Sequence, residues 1–295
     1  MNDDSLKGQK LKLIFRRALY AKLRARFKSE AYCYKENILF PRQRLSGISI
    51  LFSDKESHRN NIIARSFAGT GVSIAFSDFN NDTDFTAYNI VVPMSVPHLL
   101  VCHKKRDFIN QTIIPLPSLE AIRICDNKKL FSDTLRLKGL GTFVPDSSST
   151  YPYILKKQTG EYSSDTYIIK NQSDEINVDT LISAPDYFTQ ALIPGIHEYA
   201  AHIVFKNGQI TAMITIRYTY NRSVYLQGTE QQITKEVTFS RFRDEFTQIL
   251  NTIEFEGLCC VDYKTIDGKP KIFEINPRFG GSLCPYFFSL LRQLR

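Results

Sequence analysis

No stretch of this 295-residue chain approaches the run of about eighteen apolar residues that a membrane-spanning helix needs, so no transmembrane segment is expected. The first residues lack an apolar block followed by a cleavage site, which argues against a secretory leader and points to the cytoplasm. No CxxC pair occurs. The six cysteines (33, 102, 125, 259, 260 and 284) have no histidines at metal-ligand spacing, so neither a zinc site nor a dithiol redox motif is indicated. Reduced, partly buried thiols are expected. Cys259 and Cys260 are adjacent in a strand-like run, where successive side chains point to opposite faces, so no disulfide between them is expected. There is also no GxGxxG after the first strand-like run, no repeat, no low-complexity tract, and no Ser/His/Asp or Cys/His arrangement suited to covalent catalysis.

Positive charge is scarce where a nucleic-acid binder would need it. The net charge is +8, but residues 1–30 hold nine basic and three acidic side chains, 9 − 3 = +6, which leaves the body nearly neutral. A body without a basic face is not expected to grip nucleic acid, because phosphate neutralisation supplies most of that affinity. In the basic segment, taken as residues 1–40, Leu11, Ile14, Phe15, Ala18, Leu19, Leu23 and Phe27 recur at three- and four-residue intervals. This is an amphipathic helix pattern. Residues 7–28 suit docking at the inner face of an anionic membrane or on a partner, and equally suit a helix packed on its own domain.

Residues 41–125 read as a small α/β domain. GISILFSDK (47–55), GVSIAFSD (71–78) and AYNIVVPMS (87–95) are strand-like, helices follow through Ile62 to Ala64 and His98 to Lys105, and TIIPLP (112–117) offers a short fourth strand. Such alternation implies a parallel sheet. Loops at the carboxyl ends of its strands often face a ligand, which makes Ser95 and His98 candidates for a cleft wall. Residues 126–295 change character. A helix is expected over Lys128 to Lys138, closed by Gly139, Gly141 and Pro145, then a hairpin over Thr150 to Asn171, strands around Asn207-Gly208, a helix over about Ser240 to Glu254, and a last hairpin around Asp267-Gly268.

That last hairpin carries the chemistry. In KIFEINP, Glu274 and Asn276 are two apart and share a strand face. Counting across the Asp-Gly turn sets Asp262 opposite Glu274, since 268 − 262 = 6 and 274 − 268 = 6. Two carboxylates and an amide oxygen then converge. Like charges so placed call for a cation, and hard oxygen donors suit Mg²⁺ bridging nucleotide phosphates. Arg278 follows on the loop within reach of a transferred phosphoryl group, and Gly280-Gly281-Ser282 allows close backbone approach and offers a hydroxyl. The plainer alternative is an exposed hairpin whose carboxylates pair with Lys264 and Lys271.

The acidic residue on one strand followed by E-x-N-x-R on the next resembles the ATP-grasp superfamily, of the carboxylate-amine ligase type similar to carbamoyl-phosphate-synthase-like and biotin-carboxylase-like domains. The resemblance runs from about Asp126 to Ser282. It implies a two-lobed α+β domain, a small lobe over about 126–190 and a large lobe over about 191–295, preceded by the parallel-sheet domain, so that the whole is α/β in class. It implies that Asp262, Glu274 and Asn276 bind Mg²⁺ or Mn²⁺ and that Arg278 stabilises transferred phosphate. YPYILK (151–156) is similar to the strand ending in a phosphate-contacting lysine, Lys156. DNKKL (126–130) resembles the segment with the first ATP lysine, where spacing to Pro145 favours Lys129 over Lys128. Gln190, Ala191, Leu192 and Ile193 take the place of the hinge that reads adenine, Glu198 that of the ribose-binding acid, and Arg217 that of a substrate- or phosphate-contacting arginine in some branches.

Two departures stand out. KQTGEYSSD, after Lys156, has only Gly160 and two serines where the family carries a glycine-rich flap. The short helix expected over 285–295 leaves little room for a further domain, so the acceptor pocket is expected to use the N-terminal sheet or another subunit of a homo-oligomer. The resemblance implies a ligase that uses ATP to activate a carboxylate as an acyl-phosphate and joins it to an amine or thiol. A kinase stopping at phosphoryl transfer and a non-catalytic membrane-surface scaffold are the alternatives.

Overall fold

The computed structural model describes residues 16, 19–32, 45–66, 71–105, 112–160 and 165–294. Cys33 and, of the amphipathic stripe, Leu11, Ile14, Phe15 and Ala18 lie outside them. Helix α1 spans residues 19–32. No helix among the described residues is long and apolar enough to cross a membrane.

The isoleucine-rich run forms β1 (Ser49–Ser53) at the centre of a three-stranded parallel sheet, between β2 (Ser73–Ser77) and β3 (Ile90–Val92). Ile50, Leu51 and Phe52 are all buried, as a strand covered on both faces requires. The crossover α2 (Glu56–Ser66) links β1 to β2. Helix α3 (Val96–Lys104) follows β3 and is capped by Ser95, whose hydroxyl accepts from the His98 N–H at 3.3 Å. Ser95 is therefore a helix cap, and His98 is a largely buried ring with Nε2 3.8 Å from Asp78. The fourth strand expected at 112–117 does not form. Pro115 and Pro117 have no N–H to give a ladder. The Pro115 carbonyl instead lies 2.5 Å from where a side chain on Gly257 would begin, so this segment abuts the larger sheet at a residue that must be glycine.

Two short helices, α4 (Leu119–Asp126) and α5 (Lys128–Leu137), meet at Asn127, whose side chain caps α5 through the Leu130 N–H at 2.8 Å. The next sheet is antiparallel, in the order β5-β4-β6: β4 (Tyr153–Lys157), β5 (Thr166–Ile169) and β6 (Tyr187–Ala191), with α6 (Gln172–Ile176) and α7 (Asp179–Ile182) between β5 and β6. Tyr153, Leu155 and Ile169 are its core.

The largest sheet, also antiparallel, runs β11-β10-β7-β8-β9: β7 (His197–Lys206), β8 (Gln209–Thr219), β9 (Thr234–Thr238), β10 (Gly257–Ile266) and β11 (Lys269–Asn276). Helix α8 (Arg243–Thr252) lies between β9 and β10. Asn207 and Gly208 both take positive φ, 53° and 72°, as a two-residue hairpin turn of type I′ demands. Strand periodicity gives the sheet two faces. One buries Ala201, Ile203 and Val261 against Phe131 of α5 and Phe246 of α8. The other buries Ala200, Val204 and Ile214 in one core with Phe52 of β1 and Phe287 of α9 (Phe287–Leu291). Cys259 and Cys260 fall into these separate cores, and the described cysteines are free thiols. The architecture is α/β in its first part and α+β in the rest, as the sequence led us to expect.

Candidate functional site

Strands β10 and β11 meet at Asp267-Gly268, with φ of 48° and 76°, another type I′ turn. That turn pairs Ile266 with Lys269 and Tyr263 with Ile272. Continued unbroken, the ladder would set Phe273 opposite Asp262 and turn Glu274 and Asn276 to the other face. A bulge absorbs Phe273, so Asp262 faces Glu274 and Cys260 faces Asn276. The Asn276 amide nitrogen donates to Asp262 Oδ2 and to Glu274 Oε1, each at 3.1 Å.

Two cations from distant segments approach this cluster. Lys128, in the first turn of α5, places Nζ 3.1 Å from Glu274 Oε2 and donates to the Gly160 carbonyl at 2.8 Å. Lys156 projects from β4 and donates to the Phe273 carbonyl at 3.3 Å, with its ammonium 5.3 Å from the Phe188 ring centroid. The carboxylates therefore do not pair with Lys264 or Lys271. Lys264 donates to the Ile193 carbonyl at 3.0 Å and Lys271 to the Val144 carbonyl at 3.3 Å.

These groups perturb one another in opposite directions. Burial lowers Lys156 to about 8, although the Glu274 charge resists the fall. Burial, followed by the charges of Glu274 and Glu198, holds Asp262 well above the usual carboxylate range. Burial also pushes Glu274 upward, but Lys128 and Lys156 outweigh it and keep that carboxyl below its ordinary value. Of the pair, Glu274 is therefore the more readily ionised. No cluster of three or more His, Cys, Asp or Glu among the described residues could hold a metal ion. Two carboxylates beside an amide fit a hard cation that keeps part of its water or shares phosphate oxygens.

The cleft continues between β4 and β6 of the small sheet and β7, β10 and β11 of the large one. Lys128, Lys156, Gln190, Ala191, Leu192, Ile193, Glu198, Asp262 and Glu274 all line it, with Tyr225, Leu226 and Gln227 of the loop after β8. Gln190 is buried with its amide nitrogen unpartnered. Burial raises Glu198 to about 7 despite the opposing charge of Lys264.

Two expected site residues stand elsewhere. Lys129 points away from the cleft to Asp133, 2.6 Å distant on the exposed side of α5, and Lys128 takes the place assigned to it. Arg217 lies opposite Tyr199 on the sheet face that does not carry the carboxylates, where it pairs with Glu236. Arg278 is buried, donates to the Phe279 carbonyl at 3.0 Å and lowers the pKa of Asp262 through its charge; like Asn276, it adjoins the carboxylates without lining the cleft itself. Of the loop after Lys156, residues 161–164 lie outside the described part of the chain.

Sequence reasoning also missed residues. Lys264 could have been found, because it shares a strand face with Asp262 two residues earlier. Tyr225, Leu226 and Gln227 have no such signal. His202 is fully buried with Nε2 2.6 Å from Ser282 Oγ, and burial pushes it down to about 3, so the ring is neutral. Its ring fixes the loop after Arg278: a side chain on Gly280 would begin 2.7 Å from His202 Cε1 and 2.9 Å from Cys260 Cβ.

A family profile for the ATP-grasp domain matches residues 125–282. A comparison with curated proteins gives no match. Among solved structures, D-alanine–D-alanine ligase from Bacillus anthracis is similar with a TM-score of 0.57 at 15% identity, over 83% of this chain and 95% of that one. L-amino acid ligase from Bacillus licheniformis gives 0.54 at 13% identity, over 84% and 74%. N5-carboxyaminoimidazole synthetase from Staphylococcus aureus, complexed with ADP, gives 0.54 at 15% identity, over 85% and 78%. At these identities the likeness is one of fold.

Proposed function

The chain belongs to the ATP-grasp family, and from that premise we propose that it is a ligase that uses ATP to activate a carboxylate and joins it to an amine. The observation that carries this reading is the meeting of Lys128 and Lys156 with Asp262 and Glu274 across one cleft, with Asn276 hydrogen-bonded to both carboxylates. Two cations on one side and oxygen donors on the other match a polyphosphate whose own charge needs both lysines and a divalent ion. In this reading Gln190 to Ile193, which line the cleft, would face the base, and Glu198 would accept from sugar hydroxyls.

In the reaction proposed, a substrate carboxylate oxygen attacks the γ-phosphorus and ADP leaves. An amine then attacks the acyl carbon of the acyl-phosphate, loses a proton, and expels phosphate. Lys128 and Lys156 would neutralise phosphate charge, and Asp262, Glu274 and Asn276 would hold Mg²⁺, which supplies Lewis-acid charge stabilisation when bound. No side-chain nucleophile is needed. The work is positioning. The named ligases among the similar structures support this class.

The test is ADP release screened across carboxylates and amines with Mg²⁺, repeated with hydroxylamine as the trapping nucleophile. An activated carboxylate yields a hydroxamate. ADP release without hydroxamate would assign a kinase, and a chain that neither turns over nor is stabilised by Mg-ATP would be a scaffold.

A further inference from the structure

A second cleft, of about 360 Å³, lies between α1 and residues 231–235 at the start of β9. From α1 it is lined by Lys22, Ala25, Arg26 and Ser29, the i, i+3, i+4, i+7 set that shares one side of a helix. Lys235 and Tyr286 line it from the sheet and the carboxyl-terminal segment. Three cations therefore face one space whose lining, among the described residues, contains no Asp or Glu.

Glu236 and Glu230, the acids nearest on the sheet side, are engaged elsewhere. Glu236 points to the opposite face of β9, where Arg217 and Lys28 hold it. Glu230 is held by Arg222 at 2.7 Å. The Lys235 ammonium lies 5.8 Å from the Tyr218 ring centroid, and among the described residues no carboxylate pairs with it. Ser29 is only 7% exposed, and its hydroxyl oxygen has no hydrogen-bond partner.

We propose that this cleft binds a phosphate group through Lys22, Arg26, Lys235 and the Ser29 hydroxyl. A tetrahedral dianion offers three or more acceptor oxygens to converging donors, whereas a planar carboxylate offers two oxygens and one charge. The group can belong to a soluble phosphorylated molecule or to a lipid headgroup. The second source has its own support: Leu19, Leu23 and Phe27 on the adjacent side of α1 are 49%, 58% and 73% exposed, an apolar stripe beside the cations, as on a helix lying at a membrane surface. The inference does not depend on the nucleotide reading.

The full chain, its nucleotide cleft saturated with a non-hydrolysable ATP analogue, is titrated with inorganic phosphate and, separately, with phosphatidylcholine vesicles with and without phosphatidic acid. Saturable phosphate binding that weakens about tenfold or more in Lys235→Met and in the double variant Lys22→Gln/Arg26→Gln, with nucleotide affinity unchanged, is expected. Much tighter binding to phosphatidic-acid vesicles than to free phosphate assigns the lipid source, and comparable binding assigns the soluble one. The double variant alters exposed positions, so it keeps the test decisive if Lys235→Met fails to fold. The proposal is overturned if the wild-type chain does not bind phosphate, if binding disappears when the nucleotide cleft is filled, or if the variants bind as the wild type does.

Discussion

Lys128 and Lys129 are adjacent, equally charged and both in the first turn of α5, so substituting each in turn tests the geometry of the cleft with the chemistry held constant. The Lys128 side chain is 15% exposed and reaches Glu274 at 3.1 Å, whereas that of Lys129 is 48% exposed and reaches Asp133 at 2.6 Å. Lys128→Ala removes a charge-assisted hydrogen bond to a partly buried carboxylate, about 1.5–3 kcal/mol, and one of two cations available to a polyphosphate. Nucleotide affinity should fall about 10- to 100-fold. Lys129→Ala removes an exposed i,i+4 pair and should stay within about 0.5 kcal/mol, or about twofold in affinity. Calorimetric titration of each variant with ADP and Mg²⁺ measures both. A tenfold loss in Lys129→Ala with Lys128→Ala unchanged would refute the assignment.

Four further outcomes are expected. Glu274→Gln, which unpairs Lys128 and Lys156 from a charge while keeping shape, should abolish ADP release yet unfold cooperatively; turnover near that of wild type would remove Glu274 from the site. His202 titrates near 6.5 when unfolded and at about 3 when folded, so the unfolded chain takes up the extra proton between those values and stability falls as pH drops through them. At about 1.4 kcal/mol per unit, His202→Gln should flatten the decline in urea-unfolding free energy between pH 6.5 and 4.5 by about 2–3 kcal/mol, and an unaltered slope would contradict a neutral buried ring. Glu198 works in the other direction: its folded value of about 7 exceeds the ordinary 4.5, so its contribution is present below 4.5 and lost as pH rises through 7, and ligand-free Glu198→Gln should be about 3 kcal/mol more stable than wild type at pH 8. Gly280→Ala forces a methyl against His202 and Cys260 and should cost about 1–3 kcal/mol, read as a fall in melting temperature larger than that of Gly281→Ala, whose new methyl meets only the His58 ring.

Much of the cleft was legible because its residues sit in patterns that survive folding: alternate strand positions for Glu274 and Asn276, a lysine ending an apolar strand for Lys156, and a turn that returns the chain past Asp262. The parallel sheet was legible for the same reason, except where Pro115 and Pro117 withhold donors. The choice between Lys128 and Lys129 was not legible from spacing. Asn127 caps α5 and fixes which residue begins the first turn, but only the packing of Phe131 and Leu135 rotates that turn so that Lys128 faces β11. Arg278 was placed by motif, and the structure sets it behind the carboxylates, where its charge acts on Asp262 and its guanidinium donates to the Phe279 carbonyl. The cationic cleft beside α1 was invisible as a site, since it joins residue 22 to residue 235 and neither neighbourhood carries a motif.

The sharpest divergence comes from two bulges. In the last hairpin, counting six residues either side of Gly268 pairs Asp262 with Glu274, but the actual two-residue turn pairs Ile266 with Lys269, and extended without interruption it would pair Asp262 with Phe273. The bulge at Phe273 restores the pairing that the count assumed, and it frees the Phe273 carbonyl to accept from Lys156. In the hairpin of β7 and β8, Lys206 pairs with Gln209, and that register continued would set Arg217 opposite Glu198, on the cleft face. There the shift falls between Val204 and Phe205, with Thr211 left over on β8, and Arg217 is carried opposite Tyr199 to the far face. One extra residue turns two metal-type ligands into the cleft, and another turns an arginine out of it, because side chains in a strand alternate with period two. Neither Phe273 nor Thr211 differs in type from ordinary strand residues, so the register of each hairpin, and with it the membership of the site, is decided by packing on both sheet faces rather than by anything local to the bulge.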